Sequence, residues 1–215
     1  INTKAGFGIY QYSGSSGKLD RILHGLNQAP KFMIVKNKTT NSRPFIGLYT
    51  DDSQAYDCYM QGSFVCQNMF QAEVDSMSVG FNGGSSSTYG NHAFTNESGK
   101  EYILYAWHPV PGYSAIGTYK NNGSSDGPFI YTGFKPVLVM IKNVSQDANW
   151  IIHDSTRNPY NPSTNHLRAS TSGAEDPGSQ DSIDLLSNGW KSRGASSSSW
   201  GNVNSSSSVD DTFIY

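Results

Sequence analysis

Polar and apolar residues alternate in short runs along this chain, and glycine, asparagine, serine and proline fall between the runs, the pattern of β-strands joined by turns. In the first half the pattern predicts strands at Gly8–Tyr12, Lys31–Lys36, Phe45–Tyr49, Tyr59–Val65, Ser76–Phe81 and Glu101–Trp107. In the second half it predicts Ala115–Tyr119, Val137–Lys142, Trp150–His153, Trp190–Arg193 and Thr212–Tyr215. Phe32-Met33-Ile34-Val35 is apolar on both faces, which predicts a central strand. Lys36 and Lys142 are then expected to close their strands at the solvent edge. Pro30 and Pro136 suit a strand start, where no ladder donor is needed.

The connections carry turn chemistry. Asn82-Gly83-Gly84, Asn121-Asn122-Gly123 and Ser172-Gly173 tolerate positive φ at little cost, and Asn158-Pro159-Tyr160-Asn161-Pro162 reads as a rigid loop. Helix is expected only as a turn or two, at Ser182–Leu186.

Self-comparison adds the organisation. Ala29–Asn37 aligns with Lys135–Asn143 at an offset of 106, keeping Pro, Lys and Asn in register. Gly6-Phe7 meets Gly112-Tyr113 at the same offset, and Phe81 meets Trp190 at 109. Tyr89-Gly90-Asn91 meets Trp200-Gly201-Asn202 at 111, and Tyr102–Tyr105 meets Thr212–Tyr215 at 110. Matches in one order with a slowly drifting offset indicate a duplication with insertions in loops. The expected architecture is therefore all-β: two tandem sandwich-like units, 1–110 and 111–215, parted near His108-Pro109-Val110-Pro111-Gly112. The serine-rich runs at Ser85–Ser87, Ser196–Ser199 and Ser205–Ser208 are expected to be hairpin loops.

Composition agrees with strands and restricts partners. Aromatics make up 13% of the chain while charged residues make up only 15%, so this is no disordered polyelectrolyte. A net charge of −2 and the lack of any basic run argue against nucleic acid or an anionic membrane surface. The longest apolar runs are strand-sized, so no membrane insertion is expected. The first residues lack an initiator Met and a signal-like segment, which suggests a piece of a longer or processed protein. Cys58 and Cys66 admit two readings, a disulfide stapling a hairpin or two small buried side chains.

Catalytic signals are weak. No Gly-x-Ser-x-Gly elbow is present, and His153-Asp154-Ser155 holds triad residue types that a strand would send to opposite faces. The clusters Asp51-Asp52, Asp181 with Asp184, and Asp210-Asp211 match no established calcium loop, and a loop-bound Ca²⁺ is the lesser alternative to solvated turn carboxylates. No catalytic residue, resident metal or cofactor is therefore expected. Tyr89, Trp107, Tyr160, Trp190 and Trp200 lie near loops or strand ends and are candidate glycan contacts. The competing expectation is that aromatics repeated in both halves fill the two cores.

The second half holds Gly127-Pro128-Phe129-Ile130-Tyr131-Thr132-Gly133-Phe134-Lys135-Pro136, then Trp150–Asp154, Thr156–Asn161 and Leu186-Ser187-Asn188-Gly189-Trp190. With Ala29–Phe32 and Ile34–Asn37 of the first half, this text resembles a duplicated domain of tail-fibre and related structural proteins of marine phages, including those of cyanobacteria. The resemblance implies a virion component with no catalytic residues. It also implies a homo-oligomer, a trimer by analogy with other phage fibres, with other virion proteins and a host-surface glycan as partners. The alternative is a lectin-like adhesion module not tied to a virion.

Overall fold

Every second side chain of Glu101–Trp107 is buried, and Phe32–Asn37 alternates in the same way, because the pleat sends successive side chains to opposite faces. The computed structural model describes residues 1–15, 21–40, 45–50, 55–62, 64–66, 72–81, 92–194, 202–204 and 210–215. Two compact units emerge. One comprises Ile1–Met60 and Gln67–Val110; the other comprises Gln61–Cys66 and Pro111–Tyr215. No helix among the described residues is long and apolar enough to cross a membrane.

The first unit contains β1 (Phe7–Ser13), β2 (Ile22–Leu23), β3 (Phe32–Asn37), β4 (Ile46–Thr50), β5 (Ala55–Tyr59), β6 (Ala72–Val74), β7 (Ser78–Phe81), the single turn α1 (His92–Thr95) and β8 (Glu101–Trp107). An antiparallel sheet runs β1-β8-β3-β4-β5, and a smaller one runs β2-β7-β6. Met33, Val35, Ile46, Leu48 and Leu104 of the larger sheet share one buried cluster with Val79 and Phe81 of the smaller. Two sheets closing on one apolar layer make a sandwich.

The second unit contains β9 (Thr118–Lys120), β10 (Phe129–Tyr131), β11 (Leu138–Asn143), β12 (Trp150–Asp154), β13 (Leu167–Arg168), a 3-10 turn at Ser179–Asp181, β14 (Ile183–Leu186), β15 (Gly189–Ser192) and β16 (Thr212–Ile214). Its larger antiparallel sheet runs β9-β16-β11-β12-β13 and its smaller one β10-β15-β14. Element by element this is the order of the first unit, with β3 and β11 each in the centre of five strands. Val139, Ile141, Ile151 and Phe213 meet Ile183, Leu185 and Trp190 in its core.

Pairing registers refine the internal alignment. Asn37 pairs with Tyr102, and Asn143 with Phe213, so these two aromatics take corresponding places at an offset of 111 rather than 110. Val74 pairs with Val79 ahead of a two-residue turn, and Leu185 with Trp190 ahead of another of the same length. Trp190 therefore corresponds to Val79, not to Phe81. Shared aromatic character misdirected the alignment by two residues, which preserves the face of the strand and so leaves the periodicity undisturbed.

Other expectations change. The strand placed at Tyr59–Val65 stops at Tyr59. Beyond it Gly62 adopts φ 83, its N–H donates to the Ser170 carbonyl at 2.9 Å, and the Val65 N–H donates to Asp147 Oδ1 at 2.6 Å. Ser182–Leu186 is not helical: Ile183 and Leu185 alternate into the core as β14, and the single 3-10 turn lies just before it. Lys142 is fully buried instead of closing a strand at the solvent edge, whereas Lys36 is half-exposed with Nζ 4.6 Å from the centroid of Phe45. Cys58 and Cys66 form a disulfide. The serine-rich runs lie outside the described residues.

Candidate functional site

The place that Leu48 fills opposite Met33 in the first unit is taken, opposite Val139 in the second, by His153. Position 153 shares the inward face of β12 with Ile151, so a polar ring is forced into the layer between the sheets. Continuing the β12–β13 register brings His166 opposite it. Both imidazoles are fully buried, with ring centroids 5.5 Å apart. Asp181, at the end of the 3-10 turn, completes the group.

A buried polar group must find partners inside the protein, and most of this cluster does. His153 Nε2 lies 2.8 Å from the Asp181 carbonyl oxygen, which can only accept, so Nε2 carries the hydrogen. Nδ1 then accepts from the Ser163 hydroxyl at 3.1 Å. Asn202 Nδ2 donates to Asp181 Oδ2 at 2.7 Å, while Asn202 Oδ1 accepts from the Asn149 N–H at 2.9 Å. His166 Nε2 stands 4.0 Å from Asp181 Oδ2, too far for a hydrogen bond, and among the described residues neither it nor Asp181 Oδ1 has a hydrogen-bond partner.

Burial sets the electrostatics. Desolvation, helped by the neighbouring His166, pushes His153 down to about 4, although the Asp181 carbonyl and the Asp154 charge oppose it. Desolvation likewise holds the Asp181 carboxyl above the ordinary carboxylate range, against the Asn202 hydrogen bond and the charges of His166 and Arg168. At neutral pH His153 is therefore uncharged.

Ser163 and His153 are a hydroxyl and an imidazole at the spacing of a nucleophile and its base. Among the described residues no carboxylate orients this ring as a relay would require. His153 is oriented by a main-chain carbonyl instead of a carboxylate, it is a weak base, and both side chains are fully buried. The geometry suits a locked core network. Sequence adjacency pointed elsewhere, to His153-Asp154-Ser155. Asp154 instead caps the following turn, accepting from the Thr156 and Arg157 N–H groups at 2.9 Å each, and pairs with Arg157 Nε at 2.8 Å.

The aromatic candidates scatter. Trp190 is buried in the second core, edge-on to Tyr119 at 5.2 Å, so it is a core residue and not an exposed glycan contact. Trp107 is half-buried on the outer face of the first unit's larger sheet, stacked on Phe7 at 4.8 Å and tilted against Phe32 at 5.6 Å. Tyr160 is 84% exposed. Tyr89 and Trp200 lie outside the described residues. Phe129 and Tyr131, outside those candidates, alternate outward from β10 on either side of buried Ile130. Their alternation was the available signal.

The acidic clusters do not converge. Asp184 pairs with Arg193 at 2.9 Å while Asp181 is buried, and Asp211 accepts from Asn143 Nδ2 at 3.2 Å while Asp210 is exposed. Asp51-Asp52 lies outside the described residues. Among the described residues no three His, Cys, Asp or Glu side chains are grouped to hold a metal ion.

No curated protein and no solved structure matches the chain. A family model described as "Domain of unknown function (DUF7483)" matches residues 1–215. The chain thus belongs, over its whole length, to the DUF7483 family.

Proposed function

We propose that this chain is a non-catalytic structural module of an extracellular fibre: a tail-fibre, spike or related appendage component of a phage virion, working as a homotrimer alongside other virion proteins. The observation that carries the non-catalytic part is the fate of the best hydroxyl–imidazole pair, Ser163 and His153, which is sealed in a core with the ring neutral. The Cys58–Cys66 disulfide supports an oxidising, extracellular setting. A common strand order in the two units supports their origin by duplication. The virion assignment and the trimer rest on the sequence resemblance. Immunogold electron microscopy of particles with antibody to this chain tests the placement: label on an appendage is expected, and label absent from intact particles overturns it.

A second reading, a carbohydrate-binding adhesion module whatever particle carries it, is favoured by the exposed rings of Phe129, Tyr131 and Tyr160 in the second unit.

A further inference from the structure

β1 lies at the edge of the first unit's larger sheet, beside β8. Its ladder is bounded by the His108 N–H donating to the Gly6 carbonyl at 2.9 Å and the Gly14 N–H donating to the Lys100 carbonyl at 2.8 Å. Antiparallel bonding alternates, so the even-numbered residues of β1 bond β8 and the odd-numbered ones turn their N–H and C=O groups to the open edge. Phe7 is engaged there, exchanging backbone bonds with Asn2 at 2.8 and 3.1 Å. Ile9, Gln11 and Ser13 are exposed, and among the described residues no hydrogen bond reaches their outward N–H or C=O groups.

An open edge is a template for another strand, and proteins usually blunt it with short strands, charge, proline or a bulge. The counterpart in the second unit, β9, is three residues long and ends on Lys120, whose Nζ donates to the Asp210 carbonyl at 2.8 Å and to Thr212 Oγ1 at 2.6 Å. β1 is seven residues long, Phe-Gly-Ile-Tyr-Gln-Tyr-Ser, with no charge and no proline, and it pairs with β8 without a bulge.

We infer that β1 pairs antiparallel with β1 of a second copy of this chain, about a two-fold axis at Gln11. The open groups select both partner and register. With Gln11 opposite the partner's Gln11, Ile9 stands opposite the partner's Ser13, and each facing pair exchanges two hydrogen bonds, so every outward group of Ile9, Gln11 and Ser13 is used. Moving the axis to Ile9 would set Gln11 against the partner's Phe7, a position whose groups Asn2 already holds. Charge does not oppose the approach: beside the joint the Gln11 side chain bridges Glu101 at 3.2 Å and Lys38 at 3.1 Å, one acid and one base in each copy. A strand of this length spans about 23 Å, and with a sheet layer about 10 Å thick the pairing buries about 500 Å² in total. That is well below the roughly 1,000 Å² of a stable interface, so the contact is weak alone and acts where assembly sets copies side by side. It goes beyond the trimer proposed above, because a two-fold contact cannot build a three-fold one.

The test is oxidative cross-linking of the intact chain. Cys58 and Cys66 are bonded to each other, so an introduced cysteine supplies the free thiol. Facing residues of a hydrogen-bonded antiparallel pair have Cα atoms about 5.5 Å apart, within disulfide reach. Gln11→Cys is therefore expected to give a covalent dimer on mild oxidation at high protein concentration. Ile9→Cys is expected to stay single, because this register sets the two copies of that position about 14 Å apart along the strands. Ile9→Cys/Ser13→Cys is expected to link. Adding Gln11→Pro to that double variant removes an outward donor that β8 does not use, and should abolish the link while the intramolecular ladder stays intact. Gln11→Cys chains that stay single, or Ile9→Cys chains that link as readily, would overturn the inference. Either result leaves the appendage assignment standing, because that is read from particles.

Discussion

His153 and His166 are buried with ring centroids 5.5 Å apart, and His153 is held down at about 4 by that burial. The folded-state value lies below the unfolded one of 6.5, so between these values the unfolded chain takes up a proton that the folded chain refuses. Stability is retained above pH 6.5 and lost as pH falls, by about 2 kcal/mol at pH 5 for this group. Asp181, raised by burial, acts in the opposite sense over its own range. Urea unfolding of the second unit at pH 7 and pH 5 should show the loss. His153→Leu, which restores the residue type of Leu48, should flatten the pH dependence; an unchanged slope would assign it to other groups.

Trp190 and Tyr160, paired in the sequence as candidate contacts, should respond oppositely to truncation. Trp190→Ala should cost about 3–5 kcal/mol by opening a core cavity, whereas Tyr160→Ala should stay within about 0.5 kcal/mol. Denaturant midpoints of the two variants check this.

Much of the fold was legible because strand periodicity and internal similarity are local signals. Glu101–Trp107 and the central positions of Phe32–Asn37 and Leu138–Asn143 follow directly from alternation and doubly apolar runs. Strands of two or three residues, such as Ile22–Leu23 and Leu167–Arg168, carry too few residues to show a period. Ile183-Asp184-Leu185-Leu186 fits helix and strand equally until Trp190 is placed opposite Leu185. The His153 network was out of reach for another reason: its partners, Ser163, His166, Asp181 and Asn202, are set by long-range pairing and not by proximity in the chain.

Lys142 and Lys36 occupy corresponding positions in unlike surroundings. Lys142 Nζ donates to the Phe64 carbonyl at 2.8 Å and to the Ala148 carbonyl, and burial lowers it to about 8 in spite of the Asp147 charge. Lys142→Met leaves two carbonyls without that donor and should cost about 2–3 kcal/mol. Lys36→Met loses a contact over Phe45 and should cost under about 1 kcal/mol. Thermal unfolding of both variants measures the difference.

The Cys58–Cys66 disulfide closes a short loop, so reduction should lower stability by about 2–3 kcal/mol through a freer unfolded chain. A melt with and without a phosphine reductant reads this, and equal midpoints would show that the bond contributes nothing.

The proposed structural role implies self-association. A chain with 15% charged residues and two sandwiches is expected to bury outward faces against copies of itself. Multi-angle light scattering on the intact chain is the most direct test. Three times the chain mass at micromolar concentration is predicted, and a monomer at that concentration would contradict the account.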